Sequence, residues 1–441
     1  MSNRYHLWVS GCQMNGSDAR RLADVLDSAG MSAAENFEDA GVAILYTCSV
    51  RQSAEDRVHG QLGHLKSLKA RHPDLMLCVT GCMAGVDQAE LRERYPFVDL
   101  FVAPTEMESL PRLILGSTAN RDACAPTSRS HGPRVPVSVG VTVIRGCDKF
   151  CSYCIVPYRR GQQRSRPEQE ILEEVSSLLA RGAKEIVLLG QTVDAWGRDL
   201  DPPRGLASLL REVAALPGLA RLRFLTSHPN DFTPDLIEAI ADVPRLCEEL
   251  NLPIQAGDDE ILRRMARRYT VSQYTDLVAR IRATIPDIAL STDVIVGFPG
   301  ETVEQFEHTL DVLRQVEFDV VHVAAYSPRP GTAAARKMVD DVPAPEKLRR
   351  LHQIEELQTA LSTRKNNRLI GQEVELLVEG RQKGKWRGRT RSNKLLFLES
   401  DLNLRGELVT AVVEAAGPWS LRGRLETSAA GPLSTGSPGS R

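Results

Sequence analysis

The chain has 441 residues, a formal net charge of −2 and 25% charged residues. This balance excludes a globally basic nucleic-acid binder and leaves any RNA contact to a local patch. The absence of an apolar run of about 18 residues excludes a membrane-spanning helix; Met1–Gly11 carries no continuous apolar segment, so no secretory signal is expected.

The length predicts about three domains. Nine cysteines, an odd number, argue against a disulfide framework and for free thiols in a reducing, cytoplasmic compartment. The first stretch, 1–117, alternates strand signals (Tyr5–Ser10, Val42–Tyr46, Leu75–Thr80) with helix signals (Ser17–Ala29, Arg51–Ala70, Asp87–Arg94). Such alternation predicts a parallel α/β sheet. Cys12, Cys48 and Cys82 each follow one of these strands, at spacings of 36 and 34 residues. The carboxyl ends of parallel strands share one ligand-binding edge, so three thiols are expected to converge there. The alternative is three small buried hydrophobes near turns; position after the strands favours the site. Cys78 falls inside a strand and reads as core, while Cys124 and Cys247 have no partner pattern.

Residues 118–138, rich in Ser, Pro, Asn, Gly and Arg, read as a linker. From 139 onward six strands are predicted: Val141–Arg145, Lys184–Leu189, Arg221–Thr226, Glu249–Pro253, Ile288–Val296 and Asp319–Tyr326. Helices follow the first five, at Glu168–Arg181, Leu206–Leu216, Thr233–Ala241, Asp258–Thr284 (as two helices) and Glu301–Val316. Thr302 and Gln305 form a capping box at the last. Six βα units predict a partial, open barrel, with its active site at the C-terminal ends of the strands.

At that mouth, right after the first strand, stands Gly146-Cys147-Asp148-Lys149-Phe150-Cys151-Ser152-Tyr153-Cys154. Three thiolates at Cys-x-x-x-Cys-x-x-Cys spacing can hold three corners of an iron–sulfur cube and leave the fourth iron open, whereas fully ligated clusters recruit four cysteines. A zinc site usually pairs two Cys-x-x-Cys units, and no second unit follows here. The spacing, with an aromatic before the last cysteine, resembles the radical S-adenosylmethionine (AdoMet) superfamily.

After a helix-rich stretch at 345–368, short strands at Glu373–Val378, Lys394–Glu399 and Glu407–Glu414 predict a small β-barrel. Residues 381–394 carry Arg381, Lys383, Lys385, Arg387, Arg389, Arg391 and Lys394 with no acid, and Trp386 among them. This pattern suits RNA phosphate and base contact; a solvated strand face is the alternative. The Ser/Gly/Pro-rich tail, 427–441, is expected to be disordered.

Four runs carry a wider resemblance: Gly11-Cys12-Gln13-Met14-Asn15, Thr47-Cys48-Ser49-Val50-Arg51, Gly81-Cys82-Met83-Ala84 and Cys154-Ile155-Val156-Pro157-Tyr158-Arg159-Arg160-Gly161. From about residue 5 to 425 the chain resembles the tRNA methylthiotransferases, closest to the MiaB-type branch that makes 2-methylthio-isopentenyladenosine. The ribosomal-protein branch shows Gly-Cys-Pro-Lys-Asn, and the threonylcarbamoyladenosine branch Gly-Cys-Lys-Val-Asn, where this chain has neither. The resemblance implies an α/β protein of three domains: a methylthiotransferase domain (1–117), a radical AdoMet core (139–365) and a TRAM RNA-binding barrel (366–426). It implies two 4Fe-4S clusters, an auxiliary one on Cys12, Cys48 and Cys82 and the AdoMet cluster on Cys147, Cys151 and Cys154. It also implies AdoMet as cosubstrate, tRNA carrying isopentenyladenosine as substrate, and methylthiolation at C2 of that base at position 37. An electron donor such as flavodoxin or ferredoxin, an unnamed sulfur donor and a monomeric state are expected with it.

AdoMet contacts are expected at Gly190 and Gln191, Ser227, Gln255, Ile295 and Tyr153, all at or near strand ends or in the cysteine loop. Arg159 and Arg160 are candidates for phosphate, for the AdoMet carboxylate, or for solvent. The chain departs from the family at Tyr46, usually Asn, and at Gly85, usually Gln. The readings kept open are thiolation of threonylcarbamoyladenosine, a non-catalytic iron–sulfur redox protein, and an RNA-binding protein whose clusters are structural.

Overall fold

The computed structural model describes residues 3–48, 52–85, 88–116 and 135–426; Cys124, most of the expected linker and the tail lie outside them. The first elements are β1 (Arg4–Val9), α1 (Gln13–Ser28), β2 (Ser32–Ala33), β3 (Val42–Thr47) and α2 (Gln52–Arg71). Then come β4 (Met76–Gly81), α3 (Gln88–Arg94), β5 (Leu100–Val102) and α4 (Leu110–Leu115). The five strands form one parallel sheet in the order β2-β1-β3-β4-β5. In this doubly wound order the direction of winding reverses between β1 and β3, which opens a crevice at their carboxyl ends. The central strand β3 is buried along its whole length, as a strand covered by helices on both faces must be. Ala43 and Leu45 pack with Val58 and Leu62 of α2, while Ile44 and Tyr46 pack with Leu22 and Leu26 of α1. The expected strands and helices hold to within a few residues; β2 and β5, of two and three residues, are too short to show alternation.

The second layer begins with β6 (Ser138–Thr142), β7 (Ile144–Arg145), α5 (Val156–Arg160) and β8 (Arg164–Ser165). Strand β6 starts inside the expected linker, because Val135 and Val137 are already buried against the barrel. The single strand expected over Val141–Arg145 is broken at Val143, and β7 turns away to pair antiparallel with β8, bracketing the cysteine loop. The barrel continues with α6 (Glu168–Ala180), β9 (Glu185–Leu189), α7 (Leu206–Ala215), β10 (Arg221–Phe224) and α8 (Pro234–Asp242). It closes its six-strand series with β11 (Glu249–Asn251), α9 (Asp259–Arg264), α10 (Val271–Thr284), β12 (Ala289–Val296), α11 (Val303–Val316) and β13 (Val320–Ala325). Two three-stranded parallel sheets, β10-β9-β6 and β11-β12-β13, meet at the Leu222–Leu246 bridge. One core including Ile186, Leu222, Leu250, Leu290 and Phe306 runs through both, so they form the expected open six-stranded barrel. The Thr302–Gln305 capping box is present, with a second at Thr270–Gln273. Two further helices follow, α12 (Ala333–Lys337) and α13 (Ala344–Asn367).

The first two layers are one compact unit, residues 1–361. Helix α1 lies on the edge strand β6: Met14 packs on Val187 and Leu189, and Ser17 Oγ accepts from Thr142 N at 3.3 Å. Arg181 grips Asp24 through two bonds of 2.9 and 3.0 Å, and Glu174 receives Arg20 at 3.2 Å and Arg166 at 2.8 Å. Three guanidiniums, led by Arg166 and Arg21, outweigh burial and hold the Glu174 carboxyl below its ordinary value.

The second unit, 362–441, contains a closed barrel of β14 (Glu373–Gln382), β15 (Lys385–Thr390), β16 (Leu395–Leu398), β17 (Leu408–Ala416) and β18 (Leu421–Leu425), ordered β14-β15-β16-β18-β17. Its interior holds Leu376, Val378, Trp386, Leu396, Ala411 and Leu421. The basic stretch is therefore largely a strand, joined to β14 by the two-residue turn Lys383-Gly384, both at positive φ as a tight hairpin requires.

Candidate functional site

Cys12 caps α1 just beyond β1, Cys48 leaves β3 and Cys82 leaves β4. Neighbouring registers such as Val9 with Tyr46 and Thr47 with Gly81 bring all three to one sheet edge. Gly11 has φ +104°, and a Cβ there would overlap the Cys48 side chain; only glycine lets the first loop close on the second. Asn15 ties the loops by donating to Ser10 O at 2.7 Å and Thr47 O at 3.0 Å. Arg160, only 8% exposed, donates from Nε to Cys82 Sγ at 3.4 Å and from Nη2 to Asn15 Oδ1 at 2.7 Å, with Asp18 Oδ2 3.7 Å from Nη1. Burial opposes its charge, but Cys82, Asp18 and Cys12 outweigh it and hold the guanidinium above its ordinary value. Of the three environments open to Arg160 from sequence, none is the one found: it faces the first cysteine triad.

The second triad sits in the loop between β7 and α5. Gly146, at φ +71°, leaves no room for a Cβ against Gln162 O, and Cys147 N donates to Gly161 O at 3.3 Å. Cys147 Sγ lies 3.4 Å from Thr192 Oγ1. Cys151 Sγ accepts from Arg267 Nη1 at 3.5 Å, and the same guanidinium donates to Pro253 O and Tyr269 Oη. Ser152 anchors the loop to Met265 O at 3.0 Å and Arg264 O at 2.7 Å. Burial raises the thiols of Cys147 and Cys154, the latter to about 12 with the neighbouring Cys151 adding to the shift. Thiols that resist ionising side by side are what a metal centre converts to thiolates when it binds. Among the described residues no three His, Cys, Asp or Glu are placed to hold a single metal ion; a four-iron cube spreads its thiolates more widely than one zinc does.

Around this loop the barrel strands end in polar groups. Gln191 Oε1, Ser227 Oγ and Asp194 Oδ1 are buried without a hydrogen-bond partner in the protein, polar atoms that water or a ligand would satisfy. Thr226 and Gln255 hold positive φ of 74° and 76°, strain that concentrates at functional sites. Ile295 donates its N–H to Gln255 O at 3.0 Å and is half-buried, as is Tyr153 against Phe298. Gly190 is explained by packing, since a Cβ would overlap Ile144. Gln191 Nε2 reaches Met14 Sδ at 2.7 Å, across to the first domain.

Asp194, Thr192, His228 and Arg267 were missed in the sequence. Burial, with Asp231 nearby, lifts the Asp194 carboxyl to about 8, while its Oδ2 accepts from His228 N at 2.7 Å. Burial and Arg267 push His228 down to about 2. Asp194 lay within reach, three residues past Gln191; nothing local marks Arg267.

On the second unit Lys385, Arg387 and Arg389 alternate along β15 with buried Trp386, Gly388 and Thr390. Trp386 is 5% exposed, donates Nε1–H to Ser400 O and is covered by the Arg381 guanidinium 4.4 Å from its ring centroid, which removes it as a base-stacking surface. Trp419, 59% exposed, is the accessible tryptophan of this barrel and was missed. Neighbouring strands supply acids: Glu379 lies 3.6 Å from both Arg387 and Arg389, and Glu399 pairs with Lys385 at 2.8 Å. Lys383 is exposed at the hairpin turn and Arg391 lies just past the end of β15, half-buried.

Residues 4–103 match the uncharacterized protein family UPF0004, 141–313 the radical SAM superfamily and 367–425 the TRAM domain. The chain is 48% identical over 430 residues to the tRNA-2-methylthio-N(6)-dimethylallyladenosine synthase of Roseiflexus sp. (strain RS-1), covering 96% of this chain and 90% of that protein. It is 46% identical over 421 residues to the synthase of the same name from Dehalococcoides mccartyi (strain ATCC BAA-2266 / KCTC 15142 / 195), covering 96% and 98%. Among solved structures, the radical S-adenosylmethionine methyltransferase TsrM from Kitasatospora setae, with cobalamin and a 4Fe-4S cluster bound, superposes with TM-score 0.56 at 15% identity over 76% of this chain and 77% of its own. The cobalamin-dependent radical enzyme OxsB gives TM-score 0.51 at 12% identity over 80% and 55%. At these identities the likeness is one of fold.

Proposed function

This chain belongs to the tRNA-2-methylthio-N(6)-dimethylallyladenosine synthase family, and from that premise we propose that it adds a methylthio group to C2 of N6-isopentenyladenosine at position 37 of tRNA by radical AdoMet chemistry. One observation carries the reading. One three-cysteine site lies at the strand ends of the first parallel sheet and the other in the loop after β7, and each has a buried guanidinium donating to one of its thiols, Arg160 to Cys82 and Arg267 to Cys151. In this reading Cys147, Cys151 and Cys154 hold the AdoMet 4Fe-4S cluster, and Cys12, Cys48 and Cys82 hold the auxiliary one. The residues fit such groups: the thiols are grouped, and the buried cations offset the charge of thiolates.

When bound, the clusters and AdoMet supply the one-electron chemistry and the sulfur, which lie beyond side-chain acid–base catalysis. The chain's part is to bind, orient and exclude water. The unpartnered Gln191 Oε1 and Ser227 Oγ offer hydrogen bonds to AdoMet, Gln255 sits at the adjoining strand end, and Tyr153 and Ile295 flank its adenine. Gly190 serves by packing. Lys383, Lys385, Arg381, Arg387, Arg389 and Arg391 meet tRNA phosphates. A flavodoxin or ferredoxin supplies electrons, and the enzyme works as a cytoplasmic monomer. Among the described residues no helix is long and apolar enough to cross a membrane. Domain limits of 1–117, 139–365 and 366–426 go with this reading.

The test separates the two sites. Cys151→Ala is expected to lose both 5′-deoxyadenosine release and methylthio product. Cys48→Ala should keep AdoMet cleavage, make no product and fall from about eight to about four irons per chain. Full product from Cys48→Ala, or cleavage at the wild-type rate by Cys151→Ala, overturns the assignment and would favour a redox protein.

A further inference from the structure

Helix α5 starts two residues after Cys154 and ends on Arg160. It belongs to the radical domain by sequence, yet it packs on the Cys82–Gly85 turn of the first domain. The approach is close: a Cβ at Gly85 would stand 2.9 Å from Arg159 O and 3.4 Å from Pro104 Cδ. Gly85 stands where the sequence reading expects Gln, and a side chain there would require α5 or the turn to shift. At the end of α5 the Arg160 guanidinium donates to Cys82 Sγ and Asn15 Oδ1 and forms an ion pair with Asp18 at 3.7 Å. Asp18 in turn holds Arg145 at 3.0 Å.

Resting on the two-cluster reading, we propose that Arg160 is a positioning residue by which the radical domain sets the reduction potential of the auxiliary cluster. A three-thiolate cluster is anionic and gains one more negative charge on reduction. Cluster potentials follow net charge, hydrogen bonds to sulfur and solvent exposure. A buried guanidinium donating to a ligand sulfur favours the reduced form and raises the potential. Asp18 works against it by neutralising part of that charge. Arg267 stands in the same relation to Cys151, so each cluster has its own cation and the two can be tuned apart.

The experiment is an EPR-monitored redox titration of full-length reconstituted enzyme, in wild type and in the Cys151→Ala background that keeps only the auxiliary cluster. Arg160→Gln is expected to lower the auxiliary potential, cutting the reduced fraction at fixed potential roughly tenfold, about 59 mV for one electron. Arg160→Lys, which keeps the charge, should restore most of the shift. Asp18→Asn should move the potential up, opposite in sign to Arg160→Gln, a result that loosened packing would not give. The AdoMet cluster, titrated in Cys48→Ala, should not respond to Arg160→Gln. An unchanged auxiliary potential in a fully iron-loaded Arg160→Gln, equal shifts at both clusters, or a downward shift in Asp18→Asn overturns the proposal. Should Arg160→Gln fail to load the cluster, Asp18→Asn decides alone: a rise supports the proposal and no rise overturns it. If wild type binds only about four irons, the two-cluster reading itself has failed, a result distinct from these.

Discussion

Replacing Arg387, Arg389 and Arg391 with alanine should flatten the salt dependence of tRNA binding without changing which tRNA is preferred. Positions two apart on β15 are about 7 Å from each other along the strand, and Arg387 and Arg389 share its outward face. Both side chains are well exposed, at 43% and 40%, yet both lie 3.6 Å from Glu379. Each phosphate neutralised adds about 0.7 to the slope of log K against log salt for single strands and about 0.9 for duplex. Three contacts therefore predict a loss of roughly 2 to 2.7 slope units. If Glu379 keeps one guanidinium to itself, two contacts remain and the loss is about 1.4 to 1.8. Phosphate contacts position a nucleic acid without reading its sequence, so cognate and non-cognate tRNA should weaken together. Filter binding over a salt series with both tRNAs measures this. A wild-type slope in the triple variant would make β15 a solvated face, and loss of cognate binding alone would make it a specificity element.

Three further outcomes are expected. Gln191→Ala and Ser227→Ala should each raise the Kd for AdoMet about five- to tenfold, the worth of one hydrogen bond of about 1 kcal/mol or slightly more, with iron content unchanged; equal Kd values by equilibrium binding would remove both from the site. Gly11→Ala places a Cβ on Cys48 at φ +104°, which should cost about 1–3 kcal/mol and show as loss of auxiliary iron on metal analysis. Asp194 has its carboxyl raised by burial from 3.8 to about 8, so the folded state holds this proton more tightly than the unfolded chain does. That stability is present in full below the unfolded value and is lost as pH rises through about 8. Asp194→Asn should consequently gain thermal stability relative to wild type at pH 9 (above that range) but not at pH 4, and a pH-independent difference would show that the carboxyl is not held up.

The three parallel sheets of the first unit were legible because buried parallel strands read as apolar runs. Val42–Thr47 and Glu185–Leu189 are buried at every position, and only Thr47 and the Arg223-paired Glu185 interrupt their apolar character. The cysteines were legible for a related reason: each follows a strand, and in a parallel sheet sequence position after a strand fixes the edge in space. The second barrel was harder. In β15 the outward positions are all cationic and the inward ones are Trp386, Gly388 and Thr390, so charge concealed the alternation; the Lys383-Gly384 turn was the signal that would have exposed it. Strand β7, two residues long, exists only through its pairing with β8 twenty residues on, which no local pattern announces.

What the sequence could not offer was the partner of each thiol. Arg160 and Cys82 are 78 residues apart, and Arg267 and Cys151 are 116 apart. A lone arginine in a basic run such as Tyr158-Arg159-Arg160 or Arg267-Arg268 has no periodicity that distinguishes a buried guanidinium from a solvated one. The distinction arises from packing: Arg160 is buried because α1 lies on β6 and brings Asn15 and Asp18 over α5. The same packing bears differently on Gly85 and Tyr46, the two positions where the sequence reading expects Gln and Asn. Gly85 opens room for α5, whereas Tyr46 fills the α1 side of the sheet and leaves its hydroxyl buried without a hydrogen-bond partner. Burial, reinforced by Asp18, holds that phenol above its ordinary value, so Tyr46 stays neutral and adds no charge beside Arg160. The charged groups beside Cys82 are therefore Arg160 and Asp18, with Arg145 on Asp18, and under the two-cluster proposal substitutions of Arg160 and Asp18 should move the potential in opposite directions.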